Sequence, residues 1–241
     1  MGMEIADKIS LWIRERVEEA GAGGVVVGLS GGVDSSTAAV LAKRALEDRV
    51  LGLIMPCHSD PTDVEHAKLV ATKFGIETEY VDLTPVFDCL VEALSPGGRL
   101  ARGNLKPRLR MATLYYFANN LHYLVMGTGN KSEIMVGYTT KYGDSGVDLL
   151  PLGDLLKTQV RELAQELGIP EEIIAKPPSA GLWEGQTDEG EMGVTYEKLD
   201  KILLAIESGN TDKCEPETLQ RVKDMIAASE HKRRPIPICR I

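Results

Sequence analysis

Apolar residues recur along the chain in two rhythms. Ile5, Ile9, Trp12, Ile13 and Val17 fall at spacings that keep them on one helical face, which predicts an opening helix over residues 4–19. Residues 25–29 then form an unbroken apolar run, the pattern of a strand buried on both faces of a parallel sheet. Helical spacing returns over residues 35–46, and RVLGLIMP (49–56) reads as a second strand. DPTDVEHAKLVATKFG (60–75) reads as a helix, with Pro61 in its first turn and Gly75 at its end. IETEYVDL (76–83) is a third strand, and TPVFDCLVEAL (84–94) is a helix opened by Thr84 and Pro85. NLKPRLRMATLYYFANN (104–120) is a longer helix, and YLVMGTGN (123–130) is a fourth strand that ends in a glycine turn.

Strand and helix thus alternate four times before residue 130, which predicts an α/β fold with a doubly wound parallel sheet, followed by a helical C-terminal extension. A chain of 241 residues suits a single domain over 1–241. The least regular stretch, KPPSAGLWEGQTDEGEMG (176–193), reads as a mobile loop that acts as a lid. Ligands of such sheets bind beyond the carboxyl ends of the strands. GLSGGVDSS, MPCHSD and GTGNKSE all fall at such ends and can face one pocket.

GLSGGVDSS carries the most chemistry. Glycines let a backbone approach a ligand closely, and the N–H groups and dipole of a following helix attract anions, phosphate above all. The lysine of a Walker A loop is missing and Asp34 stands there instead. A carboxylate beside a phosphate repels it unless a cation lies between them, so the simplest reading is a phosphate loop whose aspartate holds Mg²⁺. The plainer alternative is an ordinary glycine-rich turn with Asp or Ser capping the helix.

Composition narrows the partners. A net charge of −9 argues against general affinity for nucleic acid or for anionic membranes, and leaves HKRRP (231–235) as the one local basic run. The four cysteines form no CxxC pair and no zinc-type spacing, so they read as reduced, structural thiols of a cytoplasmic protein. The N-terminal stretch is charged and amphipathic rather than signal-like, and no apolar run approaches the ~20 residues of a membrane span.

The loop resembles that of the ATP pyrophosphatases of the adenine-nucleotide hydrolase-like fold, which split ATP between its α- and β-phosphates. Together with GNLKPRLRM, GTGNKSEIMVGYTTKYGDSGVDLLPLGDLLKTQV and EHKRRP, it is similar to the ammonia-dependent NAD synthetases over nearly the whole chain. The resemblance implies ATP-dependent amidation of deamido-NAD through an acyl-adenylate, giving NAD, AMP and pyrophosphate. The chain offers no room for a glutaminase domain, so free ammonia is the implied nitrogen source. It further implies that Gly28, Leu29, Ser30, Gly31, Gly32, Val33, Asp34 and Ser35 wrap the ATP phosphates, with Thr128, Lys157 and Ser179 as further ATP contacts. Asp34 and Glu133 match the family's Mg²⁺ carboxylates, and Lys157 would offset charge growing on the departing pyrophosphate. Arg108, Lys141, Asp148, His231 and Lys232 match positions that hold deamido-NAD. A homodimer is implied as well, its interface drawn from the opening and mid-chain helices, with His231 and Lys232 reaching across it. Pro107, where many relatives carry alanine, is compatible with a first helical turn.

Two other classes compete. A tRNA-thiolating or GMP-forming ATP pyrophosphatase shares the loop, but thiolation needs a reactive cysteine pair and a basic RNA surface. A nucleotide-binding stress-protein module needs a phosphate loop without Glu133, TTKYGD and HKRRP together.

Overall fold

Four parallel strands form the sheet of the computed structural model, which describes residues 2–240. Helix α1 (Gly2–Glu19) leads to β1 (Val25–Gly28), α2 (Val33–Leu46), β2 (Val50–Ile54), α3 (Pro61–Phe74) and β3 (Glu77–Tyr80). Then come α4 (Thr84–Ala93), a short α5 (Arg99–Gly103), α6 (Leu105–Leu121) and β4 (Leu124–Met126). Every strand and long helix read from the pattern up to residue 126 is present. The boundaries move inward for strands, and α2 starts two residues earlier than its periodicity, because Val33 and Asp34 already turn within it. Leu29 leaves the strand, yet its N–H still donates to Leu53 O at 2.8 Å.

The strand order is β3-β2-β1-β4, with Val25 opposite both Val50 and Leu124. The chain therefore winds one way from β1 to β3 and returns on the other side at β4. Side chains alternate between the faces. Val25, Val27, Val50, Ile54 and Met126 join α1, α2, α3 and later helical residues in one apolar cluster. Val26, Leu51, Leu53 and Val125 meet Phe87 of α4 and Leu114 and Ala118 of α6 in the other. Both faces are covered, which is why these strands are apolar throughout. β3 is the exception: all four of its residues are exposed, and its two glutamates mark a charged edge strand.

Beyond β4 the chain is helical, as expected for the extension. It forms α7 (Lys131–Val136), α8 (Lys157–Glu166), α9 (Glu171–Ile174), α10 (Asp188–Met192), α11 (Tyr196–Ser208), α12 (Pro216–Ala228) and α13 (Glu230–Arg233). Val160 and Leu163 bring α8 into the main core, while Val136, Tyr196, Leu199, Leu203 and Val222 close a further cluster over it. The 176–193 stretch is more structured than its composition suggests. It contains α10, Asp188 N donates to Pro178 O at 3.0 Å, and the Lys176 ammonium pairs with Asp63. Among the described residues no helix is long and apolar enough to cross a membrane.

Candidate active site

The crossover reverses between β1 and β4, and the loops that follow these two strands diverge there into a crevice. After β1 the chain turns tightly into α2. Gly31 has φ +77°, and a Cβ at this position would lie 2.2 Å from Asp63 O, so only glycine fits. Ser35 and Ser36 donate to Gly32 O at 3.0 and 2.8 Å, and Ser30 N donates to Ser35 Oγ at 3.2 Å. These serines hold the turn; they do not cap the helix. Gly32 is the N-cap and no side chain among the described residues caps the first-turn N–H groups of α2, which leaves them for an anion.

After β4 a second helix start faces the first. Asn130, fully buried, caps α7 by accepting from Glu133 N at 3.1 Å, and Glu133 reaches back to Asn130 N in a reciprocal box. The same Asn130 donates through Nδ2 to Asp34 Oδ1 at 2.8 Å. Asp34 and Glu133 are thereby fixed side by side from opposite sides of the crevice. Lys157, the first residue of α8 and only 2% exposed, enters between them. Its Nζ donates to Asp34 Oδ2 and, at 3.1 Å, to Glu133 Oε1. Burial lowers its proton affinity, but the two carboxylates outweigh burial and leave it well above the ordinary lysine value. Ser132 and Asp200 fix its backbone, since Lys157 N donates to Ser132 Oγ, which in turn donates to Asp200.

A third carboxylate completes the cluster. Tyr196 OH donates to Asp188 Oδ2 at 3.0 Å and lies 3.3 Å from Glu133 Oε1, with the Lys157 ammonium 5.0 Å from its ring centroid. Asp188 Oδ1 is buried and has no hydrogen-bond partner among the described residues. One ammonium thus faces three carboxylates. Burial pushes Glu133 up to about 7, with Asp34 and Asp188 adding to the rise against the pull of Lys157. Burial raises Asp188 too. The shortage of positive charge and the orphaned oxygen fit a hard divalent cation. No group of three His, Cys, Asp or Glu is arranged to hold a metal alone among the described residues. Mg²⁺ has no need of one, because it commonly takes one or two carboxylates and completes its shell with phosphate and water.

The other expected residues divide in two. Thr128 is half-buried at the end of β4, beside this cluster in sequence. Ser179 turns inward on its own loop, donating to Gln186 O at 2.8 Å and accepting from Gly181 N. Arg108, Lys141, His231 and Lys232 come together in the same chain. Arg108 donates to Lys141 O at 3.3 Å, Lys141 Nζ to His231 O at 2.9 Å, and Lys232 Nζ to Gly137 O and Thr139 O at 2.6 and 2.7 Å. The basic tail is therefore docked on the 137–141 loop. Asp148 is occupied internally: it accepts from Val125 N at 2.8 Å and from Tyr115 OH at 2.9 Å. It anchors the 147–149 segment beside β4, and burial followed by this carboxylate pushes Tyr115 up to about 12.

A family model described as NAD synthase matches residues 5–236. The chain belongs to the NAD synthase family. Among its relatives is the NH(3)-dependent NAD(+) synthetase of Methanocaldococcus jannaschii, 52% identical over 247 residues, covering 95% of this chain and 94% of the relative. The fold agrees across the family. NMN synthetase from Francisella tularensis superposes with a TM-score of 0.92 at 36% identity, covering 100% of this chain and 99% of that one. The NH3-dependent NAD synthetase from Campylobacter jejuni, in complex with nitrate, superposes with a TM-score of 0.88 at 29% identity, with the same coverage. For this NAD synthase family member, the residues that sequence patterning overlooked are Asn130, Asp188 and Tyr196. Asn130 was legible, since N-x-x-E before an apolar run is a capping signature. Asp188 and Tyr196 carry no local signal; only the folded chain brings them to Glu133.

Proposed function

We propose that the protein makes NAD by ATP-dependent amidation of deamido-NAD with ammonia, releasing AMP and pyrophosphate. What carries this reading is the NAD synthase match over residues 5–236. A carboxylate cannot lose oxide, so the nicotinate oxygen first attacks the α-phosphorus of ATP and pyrophosphate departs. Ammonia then attacks the acyl carbon, AMP leaves with the bonding pair, and loss of a proton leaves the amide.

The residues divide the work by charge. The glycine loop and the open first turn of α2 receive the phosphates. Asp34 and Glu133 would hold Mg²⁺, which supplies charge neutralisation where two polyanions must meet. Lys157 keeps its proton and meets charge that grows on the leaving pyrophosphate. Thr128 and Ser179 contact ATP, the latter after its loop rearranges around the nucleotide. The deamido substrate is held by Arg108, Lys141, Asp148, His231 and Lys232. The 176–193 stretch closes as a lid over the adenylate and shields it from water.

Residues 1–241 act as one domain, and two copies pair through α1 and α6, where Leu11 and Tyr116 are 55% and 64% exposed. The four free thiols suit a reducing cytoplasm. Because one structural relative is an NMN synthetase, the test offers both nucleotides. Protein, ATP, Mg²⁺ and ammonium are mixed with deamido-NAD or with its mononucleotide counterpart. Chromatography should show AMP formed with NAD in equal amounts. AMP and amide from the mononucleotide alone would reassign the substrate, and no AMP from either would refute the reaction.

A further inference from the structure

A second pair of cations stands apart from the cluster described above. Lys106 is the second residue of α6 and only 5% exposed, yet it makes no hydrogen bond or ion pair among the described residues. Its ammonium lies 5.7 Å from the Phe87 ring centroid. The position is unfavourable on two counts. Burial removes part of the ammonium's hydration and lowers its proton affinity, and the first turn of a helix repels positive charge. No acid stands in that turn to offset it.

Its charged surroundings do not help. The groups that weigh on Lys106 are Cys57 and Arg110. Burial pushes the Cys57 thiol up, so it stays uncharged at neutral pH. Arg110 is a second cation, held one helical turn further on: its Nε donates to Met55 O at 3.1 Å and one Nη to Ser59 Oγ at 3.4 Å. Its remaining N–H groups have no partner among the described residues. Both cations sit against the carboxyl end of β2, at the MPCHSD segment. Asp63, whose charge acts on Arg110, carries the carbonyl that closes on Gly31 of the phosphate loop. Asp63 and Asp144 act on Arg110 at longer range, but among the described residues neither forms an ion pair with it or with Lys106. Two cations at a strand end, beside an anion loop and without a paired carboxylate, are a site built for an absent oxyanion.

We propose that Lys106 and Arg110 form an oxyanion subsite at the carboxyl end of β2, taking a phosphate group of one of the two nucleotide substrates. It rests on the reaction assigned above. The phosphate can belong to ATP or to the dinucleotide, and the experiment separates these sources. Wild type, Lys106→Met and Lys106→Arg are titrated by calorimetry with a non-hydrolysable ATP analogue, with deamido-NAD and with inorganic pyrophosphate. Thermal unfolding of each ligand-free protein is recorded alongside.

Lys106→Met should bind one of the two nucleotides at least tenfold more weakly and leave the other unchanged. The ligand-free variant should melt no lower than wild type, because an unpaired buried charge has gone. Lys106→Arg should recover most of the affinity. Unchanged affinity for all three ligands would overturn the subsite. So would a lower melting temperature with an equal loss for every ligand, which marks a structural lysine. If the wild type binds neither nucleotide, the assigned reaction fails, and the pyrophosphate titration alone decides the subsite.

Discussion

Replacing Glu133 with glutamine should make the ligand-free protein more stable while removing its activity. The carboxyl is buried at the centre of the cluster and titrates at about 7, against 4.5 in an unfolded chain. A folded-state value above the unfolded one means that the native protein binds this proton more tightly. Its contribution to stability is full below pH 4.5 and is lost as the pH rises through 7. At ~1.4 kcal/mol per pH unit, the ionised side chain costs the native state about 3 kcal/mol at pH 8. Glutamine keeps the shape and the bond to Asn130 N without the charge, so Glu133→Gln should recover most of that sum. For a chain of this size, about 3 kcal/mol corresponds to roughly 6–12 °C. The assay is calorimetric melting of both proteins with chelator, at pH 5 and pH 8. The variant should melt higher at pH 8, and the two should converge toward pH 5. A variant that melts lower at pH 8, or a gap independent of pH, would refute the reasoning, for then the bond to Lys157 outweighs burial.

Other expectations concern catalysis and the loop. Asp34→Asn and Glu133→Gln should each abolish most turnover, and the double variant should be little worse, because two ligands of one cation act as a unit; additive losses measured by initial rates would separate them. Lys157→Ala should slow the pyrophosphate burst by ~10²–10³ in rapid-quench measurements, and an unchanged burst with weaker deamido-NAD binding would place the lysine on the other substrate. Gly31→Ala puts a Cβ 2.2 Å from Asp63 O at a positive φ, so it should cost at least ~1–3 kcal/mol by urea unfolding and weaken ATP-analogue binding; a neutral result would show that the loop relaxes freely. Asn130→Ala loses a helix cap worth about 1 kcal/mol and frees Asp34, so metal affinity measured by calorimetry should fall more than stability suggests.

The sheet was readable because burial on both faces writes itself into consecutive residues. Val25, Val26 and Val27 need no partner to announce a central strand. Exposed β3 was readable for a different reason, its position between two well-marked helices. Asp34 and Glu133 could be named because each lies beside a local motif, a glycine turn or a helix start. Asp188 could not, since nothing in QTDEGEMG distinguishes one acid from its neighbours; it is selected by a hydroxyl eight residues away, on Tyr196, and by a pocket built from other segments. Asp148 could be named from its place in a recognisable run, but not its two partners in the folded chain, the Val125 N–H of β4 and the Tyr115 hydroxyl.

The pairing of Asp34 with Lys157 spans 123 positions of sequence. A ribosome working at ~5–20 residues per second needs roughly 6–25 s to travel that far. For that interval the loop after β1 exists without its ammonium, and for most of it β1 also lacks the neighbour that β4 will supply. The emerging chain can assemble β1, β2 and β3, three of the four strands, but the Asp34–Lys157 ion pair closes only after the start of α8 has been made.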